Sequence, residues 1–132
     1  MSDTAQQNAS GAPALQAECV AEAIQAALTP IFPDAVFPQL YTGQLLEYAV
    51  WNYSVVGEAW AEGAPQAARY LVQAHYYLPH GKDPRPTLLR MEQALFEKRF
   101  TWPIPTDASD AEGQHWVLEC EYADGGPAYG YA

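Results

Sequence analysis

The sequence predicts a small α+β domain: an antiparallel or mixed four-stranded sheet in the order α-β-β-α-β-β, with helices packed on one face. Three patterns carry this reading. Tyr70, Val72, Ala74, Tyr76 and Leu78 alternate into a wholly apolar strand face, with Arg69, Gln73 and His75 on the other. Leu88, Met91 and Leu95 recur at helical spacing, and Leu89 and Phe96 widen that stripe. Gln114, Trp116, Leu118, Cys120 and Tyr122 alternate against His115, Val117, Glu119 and Glu121 as a strand with one apolar face.

Residues 1–13 are small and polar and read as a flexible arm. The domain spans 14–123, and "DGGPAYGYA" (124–132) reads as a second flexible arm. The first helix is "PALQAECVAEAIQAALTP", where Pro13 suits a start and Pro30 a stop. "IFPDAVFPQLYTGQ" is proline-rich and reads as a loop with a short extended piece. "LLEYAVWNYSVV" is aromatic and β-branched, hence a strand, with Ala49, Trp51, Tyr53 and Val55 on one face and Tyr48, Val50, Asn52 and Ser54 on the other. "GEAWAEGAP" reads as a Gly- and Ala-rich connection. Asp83 is placed to cap the second helix, with Pro84 at its first position. "FTWPIP" is a short strand whose Pro103 and Pro105 point to a sheet edge.

With 132 residues the chain fits one domain and one sizeable core. No apolar stretch is long enough to span a bilayer, and the N-terminus lacks the basic and apolar regions of a signal peptide. Cys19 and Cys120 fall in apolar patterns, so a reduced pair of core thiols is expected, with a disulfide left open.

The net charge is −10, unevenly distributed. All six basic residues lie between Arg69 and Arg99, and residues 69–99 carry a net +3. Residues 1–68 hold seven acids and residues 100–132 six, neither with a Lys or Arg. A basic segment therefore sits inside an acidic protein. Such a chain is a poor candidate for binding nucleic acid through phosphate neutralisation.

Chemistry-bearing residues form no strong motif. Asp107, Asp110 and Glu112 precede Gly113, but their spacing is not that of a calcium loop, and a turn closed by Asp107 or Ser109 fits better. His75 and His115 come close if their strands pair, yet neither they nor His80 have metal-ligand spacing. No nucleophile elbow and no phosphate-binding glycine loop occurs. The expectation is a protein without catalysis, metal or cofactor. The aromatics are plentiful. Trp51, Tyr53, Trp60, Tyr77, Tyr129 and Tyr131 exceed the needs of one small core, which points to a protein-binding surface.

Taken together, "ARYLVQAHYYLP", "RPTLLRMEQALFEKRFTWP" and "TDASDAEGQHWVLECEY" resemble the tail terminator (tail completion, head–tail joining) proteins of long-tailed phages and prophages. The resemblance covers roughly residues 45–122 and rests on turn and fold patterns: a Leu-Pro strand end, an Arg-Pro-led helix, a helix-to-strand step and an acidic turn. It implies a homo-oligomeric ring, six-membered, on the head-proximal end of the tail tube. Such a ring stops tube growth, meets the tail tube protein on one side and the head–tail connector on the other, and lets DNA pass through its lumen without specific binding. The location implied is the virion tail, with synthesis in the host cytoplasm. Subunit-interface candidates are Arg85, Arg90, Lys98 and Arg99 in the basic block, the aromatics Trp51 and Tyr53, and the acids Asp107 and Asp110, which would face a neighbour or the lumen. Two other classes stay open: a monomeric acidic binder of the DNA-mimic kind, and a small metal-dependent hydrolase using His75, His115 and Asp107 or Asp110.

Overall fold

The computed structural model describes residues 13–61 and 63–123. Helix α1 (Pro13–Leu28) is followed by strand β1 (Val36–Pro38), β2 (Tyr48–Ala61), β3 (Ala64–Leu78), helix α2 (Arg85–Glu97), β4 (Ile104–Asp107) and β5 (Gln114–Ala123). The fold class is α+β, and the sheet has five strands where the sequence predicts four. Their spatial order is β1-β2-β3-β5-β4. β1 runs parallel to β2, and all other pairs are antiparallel, so the sheet is mixed.

The additional strand is the short extended piece between the prolines. Val36 to Pro38 align with Ala49 to Trp51, and Pro38 is tolerated because β1 is an edge. The stretch read as a connection after Val56 is also strand. β2 and β3 stay paired out to Ala61 and Ala64, with Gly63 taking the positive φ that closes the hairpin. β5 pairs with β3 only as far as Arg69, so the described part of the hairpin runs on beyond the sheet as a two-stranded ribbon. β4 begins at Ile104, later than the sequence predicts, and forms the opposite edge.

The two helices cover one face of the sheet. Val20, Ile24, Ala27 and Leu28 of α1 recur every three to four residues and are buried. They share one core with the β3 face from Tyr70 to Leu78, with Leu88, Met91 and Leu95 of α2, and with Leu118 and Cys120 of β5. α1 starts at Pro13, one residue inside the predicted arm; the remainder of both arms lies outside the described residues. α2 starts at Arg85 with Pro84 as its cap residue, and the Asp83 carboxylate still accepts the Arg85 backbone N–H at 3.1 Å. α2 ends in a two-bond cap. Arg99 N–H donates to the Phe96 carbonyl and Phe100 N–H to that of Leu95, with Arg99 at φ 80°.

Three side-chain expectations are corrected. Leu89 and Phe96 are 48% and 54% exposed: the core takes a single stripe of α2, and among the described residues no element covers the next one. Cys19 is exposed and free, turned out of the α1 face that Val20 and Ile24 bury; Cys120 is free and buried. Trp51 is buried, and its indole Nε1 donates to Gln25 Oε1 of α1 at 2.8 Å, so it ties helix to sheet and is unavailable to a partner.

Candidate functional site

Helices on one side leave the other face of the sheet without cover from either. Period-two alternation puts Tyr48, Val50 and Asn52 of β2, Gln73, His75 and Tyr77 of β3, and His115, Val117 and Glu119 of β5 on that face. The pairing register then brings aromatic rings into contact across strands. Tyr48 opposes Tyr77, and their rings stack at 4.8 Å between centroids. Tyr77 opposes His115 and stacks on it at 4.2 Å. The run continues toward the β1 edge through Tyr41, 4.7 Å from Tyr48, to Phe37, 4.3 Å from Tyr41. Partial burial raises the hydroxyl pKa values of Tyr48 and Tyr77. Of this run, the sequence singles out Tyr77 and His115; the extra signal is the β2–β3 register, which sets Tyr48 opposite Tyr77.

Beside the run, Asn52 Nδ2 lies 3.3 Å from His75 Nε2, and His75 Nδ1 lies 2.8 Å from His115 Nε2. The amide nitrogen can only donate, so His75 Nε2 accepts. Its proton then sits on Nδ1 and is donated to His115 Nε2. Burial lowers both imidazole pKa values, outweighing Glu119 beside His75 and Asp110 beside His115. The pair is thus held as two neutral rings in a hydrogen-bond chain. Among the described residues, no three His, Cys, Asp or Glu side chains converge as a ligand set.

The acidic stretch before β5 is built as a turn. Asp107 Oδ1 accepts the Ser109 N–H, Asp110 Oδ1 the Glu112 N–H, and Ser109 Oγ the His115 N–H, at 2.9, 2.9 and 3.0 Å. The hydrogen bonds from Ser109 hold the Asp107 carboxyl below its usual range. The carboxylates that a metal or acid–base reading would need are each engaged with backbone of their own turn. This turn forms one wall of a cleft of about 310 Å³ whose other lining includes Leu45, Leu46, Tyr48 and Tyr77.

Of the basic candidates, Arg85 is held by Asp83 in a two-contact pair, Nε to Oδ1 at 2.9 Å and Nη2 to Oδ2 at 3.1 Å. Arg90, Lys98 and Arg99 are exposed and form no ion pair among the described residues. Arg90 and Lys98 border the groove between α1 and α2, whereas Arg99 sits at the α2–β4 junction. Tyr53 is half-buried against Trp51 and Tyr70, on the helix-covered face. The side chains of Trp60, Tyr129 and Tyr131 lie outside the described residues. Compared with known families and curated proteins, the chain matches no family model and no curated sequence.

Proposed function

We propose that this chain is a structural subunit of a long-tailed phage, a tail terminator that assembles as a six-membered ring on the head-proximal end of the tail tube and joins it to the head connector. The observation that carries the reading is the sheet face that neither helix covers, where the ring run is partly exposed. A domain with helices on one side and a run of stacked aromatics on the other has a surface suited to protein contact. The resemblance over residues 45–122 supplies the tail context. Size is permissive. A compact chain of this length is roughly 36 Å across as a sphere, and six in contact leave a hole of about that width, enough for a DNA duplex. The acidic excess keeps such a lumen from holding phosphates.

Negative-stain imaging of the purified protein mixed with tail tubes tests this directly. Tubes capped at one end by a ring are expected. Bare tube ends at saturating protein overturn it, and a monomer that instead competes with DNA for a basic protein would favour the acidic-binder class.

A further inference from the structure

Two exposed apolar features lie at opposite ends of β5. At the Gln114 end is the cleft of about 310 Å³, with Leu45 and Leu46 (43% and 76% exposed) beside the Tyr48–Tyr77 stack. Asp110 and Glu112 line it, and among the described residues no Lys or Arg does. At the Glu121 end is the α2–β4 junction, anchored where Thr101 N–H donates to the Glu121 carbonyl. There Phe96 and Trp102, 54% and 45% exposed, pack ring to ring at 5.3 Å. Between them in sequence stand Glu97, Lys98 and Arg99, all exposed, with Lys98 and Arg99 without an ion pair among the described residues, while Glu92 Oε1 accepts the Trp102 indole N–H at 3.2 Å.

Arg99 adds an independent observation. It occupies the left-handed position of the α2 cap, with φ 80°, where glycine is the usual residue. A non-glycine residue held there carries backbone strain, as do Asp34 (φ 60°) and Gln39 (φ 71°), and of the three only Arg99 lies beside the exposed Phe96–Trp102 pair. The exposed guanidinium makes no hydrogen bond or ion pair among the described residues.

We propose that the cleft is filled by a second copy of this chain: the Phe96–Trp102 ridge of one copy seats against Leu45, Leu46 and Tyr48 of the next, with Lys98 and Arg99 facing Asp110 and Glu112. Apolar matches apolar, and the two unpaired cations match the cleft that has carboxylates and no cation. One chain cannot satisfy itself, because the seven residue steps from Gln114 to Glu121 separate the features by roughly 24 Å. Since ridge and cleft are different surfaces, the contact is head-to-tail, and repeating it around a closed ring covers both features on every copy. Closure at six subunits rests on the tail-terminator reading; the contact itself does not.

Disulfide trapping tests the contact. In full-length Cys19→Ser protein, Arg99→Cys and Glu112→Cys are introduced together and singly, then mildly oxidised at high concentration. The double variant should give a ladder of cross-linked species ending in one closed product, while single variants give at most dimers. A ladder without capped tail tubes keeps the contact and overturns the tail assignment. Capped tubes with no cross-link beyond the single variants do the reverse. A charge exchange gives a second check. Lys98→Glu with Arg99→Glu should weaken association by at least about tenfold, and adding Glu112→Lys should recover most of that loss. No loss, or a loss that Glu112→Lys deepens, overturns the pairing.

Discussion

His75 and His115 meet across the β3–β5 pair with Nδ1 and Nε2 2.8 Å apart, both rings buried enough that their pKa values fall below the ordinary 6.5. The neutral forms are therefore favoured by folding. Between the folded pKa values and 6.5 the unfolded chain binds more protons, so stability is fully present above about pH 6.5 and is lost as pH falls through the folded values. NMR titration of the two imidazoles should place both midpoints below 6.5. The denaturation midpoint should drop on acidification more steeply in the wild type than in His75→Gln/His115→Gln. A midpoint above 6.5 for either ring contradicts the arrangement.

Arg99→Gly should stabilise the isolated chain while weakening its association. Left-handed backbone costs a non-glycine residue about 1–2 kcal/mol, and glycine's extra unfolded-state freedom returns about 0.5–1 kcal/mol of that. A net gain of about 0.5–1 kcal/mol is expected in urea denaturation. A destabilised variant would mean that the Arg99 side chain has a stabilising role inside the chain.

Leu95 is fully buried where α2 crosses the core. Leu95→Ala should cost about 2–5 kcal/mol. Leu89→Ala, one stripe away and 48% exposed, should stay within about 0.5 kcal/mol of wild type. Equal losses at the two positions would misplace the helix face.

Glu47 links sheet and turn by accepting the Tyr76 hydroxyl on one oxygen and Lys82 Nζ, at 2.6 Å, on the other. Tyr76→Phe removes a hydrogen bond to a charged group and should cost about 1.5–3 kcal/mol at neutral pH. The bonds from Lys82 and Tyr76 lower the Glu47 pKa from 4.5, whereas burial and Glu47 push that of Tyr76 up to about 12. The Glu47 contribution is thus present above pH 4.5 and lost as pH falls through its folded value. That of Tyr76 is present below pH 10 and lost as pH rises toward about 12. A pH-independent difference between Tyr76→Phe and wild type would break this linkage.

Thiol titration should distinguish the cysteines. Cys19 is exposed and should react with a thiol reagent in the native protein; Cys120 is 5% exposed, with its pKa pushed up to about 12 by burial, and should react only after unfolding. Two fast-reacting thiols, or none, in the native state would contradict this burial.

Local periodicity was enough to place the central elements. The β3 face from Tyr70 to Leu78 and the Leu88–Met91–Leu95 stripe are buried as their spacing demands, and on the predicted β5 face Leu118 and Cys120 are buried with Trp116 and Tyr122 partly so, because a side chain's direction along one strand or helix depends only on its own backbone. The edge position of β4 was legible for a similar reason, since prolines cannot donate into a sheet interior. The acidic stretch read as a turn because an Asp side chain accepts the backbone N–H two residues on, as Asp107 and Asp110 both do. What depends on two elements meeting was beyond periodicity. β1 has three residues and exists as a strand only because β2 lies beside it. The hairpin beyond Val56 looks like a linker until its partner strand is counted. Whether Leu89 and Phe96 are covered, whether Trp51 faces a partner or α1, and which aromatics stack with Tyr77 are settled by cross-strand register and by how far each helix reaches. Those are long-range packing outcomes. The ridge at Phe96 and Trp102 and the cleft at Leu45 and Leu46 belong to that class, as surfaces left uncovered once the core has taken what it can bury.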